Sequence, residues 1–322
     1  MRIHYNSSMR NRLITWLKIV VTAGGLAYVI LTIPVSEIAQ VLVTVRWGWL
    51  LFALFLAIGG LLLRALRWML LLRGLGAQIS LFRLTELYFV GNFFNAFLPS
   101  GFGGDAVRVV EMARNVPTDI AAGTVIVDRL TGLLMLFGMA LIALPFRPNS
   151  FPDELTQLVA TVCVLGIIGG YTILDGRLLV SLGRWLPEPL SPFGRGPVAR
   201  LLRTVSGTGW RAIIKALLIS VVFNLVLVGW WLVATRALSL SVSYTYLLLV
   251  VPIMSVALLV PSIGGLGLRE YLAPLLFAGA GLEPASAVAL SLTVFAINRT
   301  GSLLGAPVYI WSLLREPPSQ QT

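Results

Sequence analysis

Long runs of apolar residues, separated by short polar segments, make up most of the chain. A helix that crosses the roughly 30 Å hydrocarbon core of a bilayer needs about 20 largely apolar residues, because each residue advances the helix by about 1.5 Å. Six stretches meet that requirement, namely 13–33, 47–66, 119–144, 155–174, 212–235 and 285–313. The pattern predicts an all-α fold, a polytopic integral membrane bundle in which 1–322 form a single domain. We expect the first stretch to be a helix of the mature protein, because its apolar run is longer than that of a signal peptide.

Two further apolar stretches are shorter and end at proline and glycine. Residues 84–98 lead into Pro99-Ser100-Gly101, and residues 244–260 lead into Pro261-Ser262-Ile263-Gly264. Each stretch is too short to be a regular spanning helix, and each predicts half of a broken or re-entrant element.

The composition excludes a soluble protein. Hydrophobic residues make up 57% of the chain and charged residues 11%, against about 45–50% and about 25% in an average soluble domain. The formal net charge of +11 raises the question of nucleic-acid binding, but the basic residues stand at the ends of apolar runs instead of on a solvated face. We interpret them as residues that orient the protein in a membrane, and we expect no nucleic-acid partner.

Basic residues concentrate in three places: before the first apolar stretch, at the end of the second, and between the fourth and the fifth. The loops at 34–46 and 145–154 carry little charge. Because positively charged loops favour the cytoplasmic side, this distribution predicts that both termini lie in the cytoplasm. Residues 175–211 are expected to be a cytoplasmic linker with at most an interfacial helix.

The sequence argues against metal, thiol and nucleotide chemistry. Cys163 and His4 are its one cysteine and one histidine, so we expect no intramolecular disulfide, no zinc site and no histidine-dependent catalysis. The glycine-rich segments lack the Gly-Lys-Ser/Thr of a phosphate-binding loop. We therefore expect no cofactor and no bound metal.

The two proline-glycine segments have similar surroundings. The matching positions downstream of them are Arg108 with Arg269, Glu111 with Glu270, and Asp128-Arg129 with Asn298-Arg299. The charge pattern places the beginnings of the two halves on opposite sides of the membrane. The sequence thus predicts inverted repeats at 84–144 and 244–313, an architecture typical of secondary transporters. The alternative, that proline and glycine only mark loops here, stays open.

Interrupted helices are suited to binding anions. The first backbone N–H groups of a restarted helix lack intrahelical partners and carry partial positive charge, and glycine lets a phosphate come close to them. Nearby arginines add full charges that bind phosphate bidentately. The candidate substrate-binding residues are Ser100, Gly103, Gly104, Asp105, Arg108, Asp128, Arg129, Ser262, Gly264, Gly265, Arg269, Glu270, Asn298 and Arg299.

Asp128, Arg129 and Arg299 lie inside otherwise apolar stretches. An ionised side chain there is costly and normally faces a partner or a water-filled cavity. We expect Asp128 to bridge to Arg299 or Arg269 across the two halves, and Arg129 to face the cavity. An ion pair with a purely structural role is the alternative. Asp128 and Glu86 are also candidates for proton coupling.

Several segments carry a family resemblance. They are Gly91-Asn92-Phe93-Phe94-Asn95, Leu98-Pro99, Gly103-Gly104-Asp105 with Arg108, Asp128-Arg129, and Pro261-Ser262 followed by Gly264-Gly265, Gly267 and Arg269-Glu270. Through them, residues 10–315 resemble the lysylphosphatidylglycerol synthase transmembrane-region family, which also forms the flippase half of multiple peptide resistance factor proteins. The resemblance implies a helical bundle with two re-entrant elements that moves a lipid with an anionic or aminoacylated phosphate headgroup.

Larger proteins of that family also carry a soluble aminoacyl-transferase domain after the membrane region. This chain ends at Thr322, soon after its last apolar stretch, so we expect it not to perform lysyl transfer itself.

The leading hypothesis is therefore a non-enzymatic flippase in the cytoplasmic membrane of a bacterium or archaeon. Its substrate would be an anionic or aminoacylated phospholipid or a polyprenyl-phosphate-linked lipid, and a separate lipid synthase or glycosyltransferase is a second candidate partner. Two alternatives stay open: a membrane-embedded enzyme that acts on an isoprenoid or glycolipid phosphate, and a non-transporting partner of a lipid synthase. The sequence indicates no oligomeric state.

Overall fold

The computed structural model of the protein describes residues 7–97, 103–147, 151–175, 197–257 and 265–315. These residues form thirteen α-helices with short connections, and no β-strand occurs among them. In chain order the helices are α1 Ser7–Thr32, α2 Val35–Val43, α3 Trp47–Gly74, α4 Leu81–Phe97, α5 Gly103–Met112, α6 Thr118–Ala143, α7 Asp153–Asp175, α8 Pro197–Gly207, α9 Trp210–Ala237, α10 Tyr244–Ala257, α11 Leu268–Phe277, α12 Pro284–Leu303 and α13 Gly305–Arg315. The predicted all-α class is confirmed.

Within the described part of the chain, five helical segments are long and apolar enough to cross a membrane. They are Trp47–Gly74, Thr118–Phe146, Asp153–Asp175, Trp210–Ala237 and Pro284–Arg315. Helices α1 and α2 add a sixth span if they are counted together, although they meet at 91°. Pro34 separates them, because proline lacks a backbone N–H and restricts the residue before it. Each predicted spanning stretch falls on α1 or on one of the five segments, which confirms a polytopic membrane architecture.

Helices α3 and α9 pack along each other in opposite directions. The backbone N–H of Arg46, just before α3, donates to the carbonyl of Ala237 at the end of α9, at 2.8 Å. Further along, Gly60 lies so close to Phe223 that a Cβ would be 3.2 Å from the ring. This close pair forms one wall of the polar site described below.

Helices α4 and α5 form an antiparallel hairpin. At one end, the backbone N–H of Gly104 donates to the Asn95 side-chain oxygen at 2.8 Å. At the other end, Arg83 and Glu111 form an ion pair at 3.5 Å. A Cβ on Gly104 would overlap the α4 backbone, so only glycine permits this close contact. The connection at 98–102, with its predicted break, lies outside the described residues.

Helices α10 and α11 form a second antiparallel pair, because the Tyr246 hydroxyl near the start of α10 donates to the Leu276 carbonyl near the end of α11 at 2.6 Å. The connection at 258–264 lies outside the described residues. Helices α5 and α11 each have 10 residues and so rise about 15 Å, half the thickness of a hydrocarbon core. These lengths fit the predicted half-elements, and their re-entrant placement in a bilayer stays a prediction.

Apolar packing fixes the first hairpin to α3. Trp68, Leu72, Leu87, Tyr88 and Met112 belong to one buried cluster from α3, α4 and α5. Buried aromatic and aliphatic side chains in close contact hold the helices at fixed positions. The polar residues of these helices are thereby held in fixed positions as well.

Part of the predicted linker at 175–211 is helical. Helix α8 packs against α6, where a Cβ on Gly123 would lie 2.6 Å from the Thr204 methyl group. Residues 176–196 lie outside the described residues. Helix α8 is therefore joined to the bundle through α6.

Candidate functional site

A buried carboxylate, Asp128 of α6, forms the centre of a polar cluster. Its side chain is 1% exposed, and one oxygen accepts a hydrogen bond from Arg67 Nε at 2.7 Å. The other oxygen accepts from Arg108 Nη2 at 3.1 Å and from the Tyr88 hydroxyl. A buried charge is tolerated when opposite charges and hydrogen bonds satisfy it. Asp128 meets that condition fully.

The cluster continues outward from Asp128 through further ion pairs. Arg108 Nη1 lies 3.2 Å from Asp105, and Arg129 contacts the same carboxylate. The guanidinium of Arg108 also lies 4.2 Å above the ring of Trp68, a favourable cation–π arrangement. Three arginines and two aspartates thus share one network.

The structure corrects the expected partner of Asp128. The bridge from Asp128 to Arg299 or Arg269 does not form, because Arg67, Arg108 and Tyr88 occupy both carboxylate oxygens. Tyr88 of α4 and Arg108 of α5 belong to the same predicted repeat as Asp128, whereas Arg67 of α3 lies outside both predicted repeats. Arg129 lines a cavity as expected, and it also contacts Asp105.

Arg67 is a functional candidate that sequence reasoning missed. Arg67 belongs to the basic residues at the end of the second apolar stretch, which indicate orientation in the membrane, but α3 continues to Gly74 and Arg67 is 5% exposed. The signal was present, because the apolar run resumes as Trp68-Met69-Leu70-Leu71-Leu72 directly after Arg67. Arg64, one turn earlier, was missed for the same reason.

Glu270, an acidic residue of the second predicted repeat, has a different role from Asp128. Glu270, completely buried, accepts from the backbone N–H of Gly267 at 2.8 Å and from the Ser291 hydroxyl at 2.9 Å. It therefore caps the start of α11, as a glutamate in the first turn of a helix commonly does. Its distance to Arg269 Nε is 3.6 Å, which is too long for a hydrogen bond.

The glycines before α11 allow the backbone to turn at the start of that helix. Gly265 and Gly267 have φ angles of 87° and 84°, which favour glycine. Gly267 also packs against the backbone of Thr22 in α1. These contacts explain the two glycines without a ligand.

Helix α12 contacts both antiparallel helix pairs, α4 with α5 and α10 with α11. Arg299 donates to the carbonyl of Ala96 near the end of α4, and Asn92 donates to the Ser302 hydroxyl at 2.9 Å. The guanidinium of Arg299 lies 4.7 Å from the ring centre of Phe295, and that of Arg269 lies 5.5 Å from the same centre. The end of α4 and the start of α11 thus lie near one segment of α12.

Two adjoining cavities lie between these helices. The larger, of about 410 Å³, is lined by Asp105, Arg108, Asp128 and Arg129 among others. The smaller, of about 240 Å³, includes Arg269 in its wall. The two share wall residues, which are Arg64, Asn92, Phe223, Leu227 and Ser255. The two cavities therefore adjoin each other, one near α4–α6 and one near Arg269 of α11.

The predicted site residues differ in their relation to the cavities. Asn298 lines the smaller cavity, whereas Glu270 and Arg299 lie outside the walls of both. Gly103 and Gly104 are buried at the start of α5. Glu86 lies 3.5 Å from Arg83 and is also outside these walls. Three predicted residues, Ser100, Ser262 and Gly264, lie outside the described residues.

Comparison with known families gives one match. The family described as the lysylphosphatidylglycerol synthase TM region matches residues 15–305. Neither a curated protein nor a solved structure gives a significant match.

Proposed function

The chain belongs to the lysylphosphatidylglycerol synthase TM-region family, whose membrane domains are associated with lipid synthesis and flipping, and from this premise we propose that it moves a lipid between membrane leaflets. The lipid carries an anionic or aminoacylated phosphate headgroup, or is a polyprenyl-phosphate-linked lipid. The headgroup passes through the two cavities while the hydrocarbon tails stay in the bilayer.

The excess of positive charge around the cavities carries this proposal. Within the described residues, six guanidinium groups lie in or beside the cavity walls: Arg64, Arg67, Arg108, Arg129, Arg269 and Arg299. Three carboxylates accompany them, those of Asp105, Asp128 and Glu270, which leaves a formal charge of +3 (6 − 3). An apolar bundle tolerates such an excess poorly, and the phosphate of a lipid headgroup would neutralise part of it.

The surface of α3 fits the passage of a lipid. Leu51 and Phe55 are 64% and 67% exposed, and a membrane is a favourable environment for such side chains. The same helix carries Arg64 and Arg67 into the cavity walls. Helix α3 thus presents an apolar face to the surroundings and, on another face, arginines to the cavities.

A catalytic step is not part of the proposal. The carboxylates that line the larger cavity, Asp105 and Asp128, are both engaged by arginines. A general base needs an oxygen that is free to accept a proton. We therefore propose that transport leaves the lipid chemically unchanged and that these carboxylates keep their arginine partners.

The test is leaflet exchange by the purified full chain in vesicles of phosphatidylcholine and phosphatidylglycerol. A trace of fluorescent phosphatidylglycerol is included, and dithionite bleaches the label in the outer leaflet. We expect the protein to make the inner-leaflet label accessible as well, whereas protein-free vesicles retain it.

The Arg147→Gln variant is the control for this assay. Arg147 pairs with Asp153 on the exposed surface at 2.9 Å, so removal of its charge is expected to leave exchange unchanged. Mass spectrometry of the vesicle lipids completes the test. Chemically altered lipids would indicate an enzyme, and unaltered lipids without accelerated exchange would indicate a non-transporting partner; either result contradicts the proposal.

We also propose that both termini and α8 face the cytoplasm. Cysteines introduced at the exposed positions Ser206 and Glu154 in a Cys163→Ala background test this orientation. Membrane-impermeant maleimide should label the second variant in intact cells and the first only after permeabilisation. The reverse pattern contradicts the proposed orientation.

A further inference from the structure

Four buried hydrogen-bond donors without partners belong to residues that line the smaller cavity. They are Arg64 Nε, Arg269 Nε, Arg269 Nη2 and Trp230 Nε1, and none of them has an acceptor among the described residues. Arg269 and Trp230 are 3% and 8% exposed. A native protein leaves few buried donors unsatisfied, so such a group calls for an explanation. Four in the wall of one cavity point to a bound acceptor.

The other polar residues of this cavity are neutral. Asn92, Ser255 and Asn298 line it, and its described wall contains no aspartate or glutamate. Glu270 lies near Arg269, but its two oxygens already accept hydrogen bonds from Gly267 and Ser291. Glu270 lies 3.6 Å from Arg269 Nε but outside the cavity wall, so the described wall itself holds two guanidinium groups and no carboxylate.

The larger cavity differs from the smaller one because carboxylates line its wall. Asp105 and Asp128 line it, and they neutralise Arg67 and Arg108 at distances of 2.7–3.2 Å. Arg64 lines this cavity too, and Arg108 Nε has no hydrogen-bond partner among the described residues, but the two carboxylates already hold the charge of Arg67 and Arg108. The free donors of the smaller cavity are the stronger anion site, because guanidinium groups bind phosphate through several charge-assisted hydrogen bonds.

We infer that the smaller cavity binds the phosphate of a lipid headgroup that carries no ammonium group. The inference rests on the proposed function and narrows its substrate class. An aminoacylated headgroup brings a positive charge, and the described wall offers it two arginines and no carboxylate. Like charges in a desolvated site exclude a ligand effectively.

The size and walls of the cavity suit a headgroup. Its volume of about 240 Å³ is below the roughly 300–1,000 Å³ of pockets that enclose whole drug-sized ligands. Leu56, Ile58 and Val226 supply apolar walls, and Asn298, which is exposed, forms part of the wall as well. The cavity is thus reachable from the surface, and the glycerol or prenyl end has an apolar contact.

The test measures binding to the purified full chain in detergent by native mass spectrometry and thermal stabilisation. The probes are short-chain phosphatidic acid, phosphatidylglycerol, lysylphosphatidylglycerol and inorganic phosphate. We expect the first two to bind, and lysylphosphatidylglycerol to bind at least about tenfold more weakly. Inorganic phosphate lacks the apolar part and should also bind more weakly than either anionic lipid.

The variants Arg269→Gln and Arg64→Gln identify the site. Each should weaken binding of phosphatidylglycerol by about tenfold or more, since each removes a charged donor. Arg269→Gln also leaves the buried Glu270 without the cation 3.6 Å away, so the melting temperature of each variant is measured without lipid. Arg64→Gln removes no ion pair among the described residues and keeps the site testable if Arg269→Gln does not fold. Arg147→Gln is the matched control, and Arg269→Lys should restore part of the binding.

Several results would overturn the inference. Equal binding of lysylphosphatidylglycerol, unchanged binding by both glutamine variants, or stabilisation by inorganic phosphate but by neither anionic lipid would each do so. The leaflet-exchange assay separates this failure from that of the proposed function. Selective binding without exchange contradicts transport alone, whereas exchange that is independent of Arg64 and Arg269 contradicts the assigned site alone.

Discussion

The arginines around Asp128 and Arg269 of α11 differ in how fully other residues pair their charge. In the first half, Arg67 and Arg108 are 5% and 4% exposed and share the carboxylate of Asp128. In the second half, Arg269 is 3% exposed, but two of its nitrogens have no hydrogen-bond partner among the residues described. The charge around Asp128 is therefore paired mainly within the protein, whereas Arg269, like Arg64 of α3, keeps donors that the proposed headgroup would bind.

The spacing of acidic and basic residues explains this difference. Asp105 and Arg108 are three residues apart on α5, so their side chains lie on one helix face and pair at 3.2 Å. Glu270 directly follows Arg269, so their side chains diverge by about 100° around the helix. Glu270 bonds to Gly267 and Ser291 instead. With adjacent spacing, Glu270 caps the start of α11 and lies 3.6 Å from Arg269, a longer contact than the 3.2 Å between Asp105 and Arg108.

The residues at the matching positions of α6 and α12 also differ in charge. Where α6 carries Asp128-Arg129, the matching position of α12 carries Asn298-Arg299. An asparagine brings no charge, so it cannot offset Arg269 as Asp128 offsets Arg67 and Arg108. Under the proposed function, the network around Asp128 is mainly a scaffold and the cavity at Arg269 binds the headgroup.

Replacement of Asp128 is the strongest way to test the scaffold. Asp128→Asn keeps the shape of the side chain but leaves Arg67 and Arg108 buried without their shared counter-charge. We expect the free energy of unfolding in detergent to fall by about 3–5 kcal/mol. Asp153→Asn is the control: its pair with Arg147 is exposed, and such pairs contribute less than about 1 kcal/mol. Equal effects of the two substitutions would contradict a scaffold role for Asp128.

Two arginines one turn apart on α3 give the next test. Arg67 donates to Asp128 at 2.7 Å and to Ser220 at 3.0 Å, so Arg67→Gln should destabilise the protein by about 3 kcal/mol. Arg64 has no ion pair within the described ranges and lies only near aromatic rings, 5.1 Å from the centre of Tyr88. Arg64→Gln should therefore change stability by less than about 1 kcal/mol and mainly weaken lipid binding. Thermal unfolding of both variants without lipid checks this, and a reversed order would refute the division between scaffold and binding residues.

The fold class was predictable because each spanning helix has its own local signal in the apolar pattern. The spacing of Asp105 and Arg108 was local too, and it alone indicates an ion pair. The partner of Asp128 could not be predicted from a local pattern, because Arg67 is 61 residues away and only the packing of α3 on α6 brings the two together. A charged residue at the edge of an apolar run looks the same whether the helix ends or continues.

The role of Glu270 shows a second limit. Its position beside Arg269 suggested a shared ligand site, but the chain turns at Gly265 and Gly267 with positive φ angles and brings the Gly267 N–H to the carboxylate. Backbone conformation of this kind depends on contacts with α1, where Gly267 packs on Thr22. Such contacts between distant helices leave no periodic pattern in the sequence.

The smallest expected effect comes from making the second half resemble the first. Asn298→Asp places a carboxylate in the wall of the smaller cavity, which Arg269 also lines. Phosphatidylglycerol binding should fall by about tenfold because the added charge repels phosphate, and lysylphosphatidylglycerol should lose less because its ammonium gains an acceptor. Asn115→Asp makes the same change at an exposed position away from the cavities and should alter neither lipid. Native mass spectrometry with both lipids gives the ratio, and an unchanged ratio would mean that the charge of this cavity does not select the headgroup.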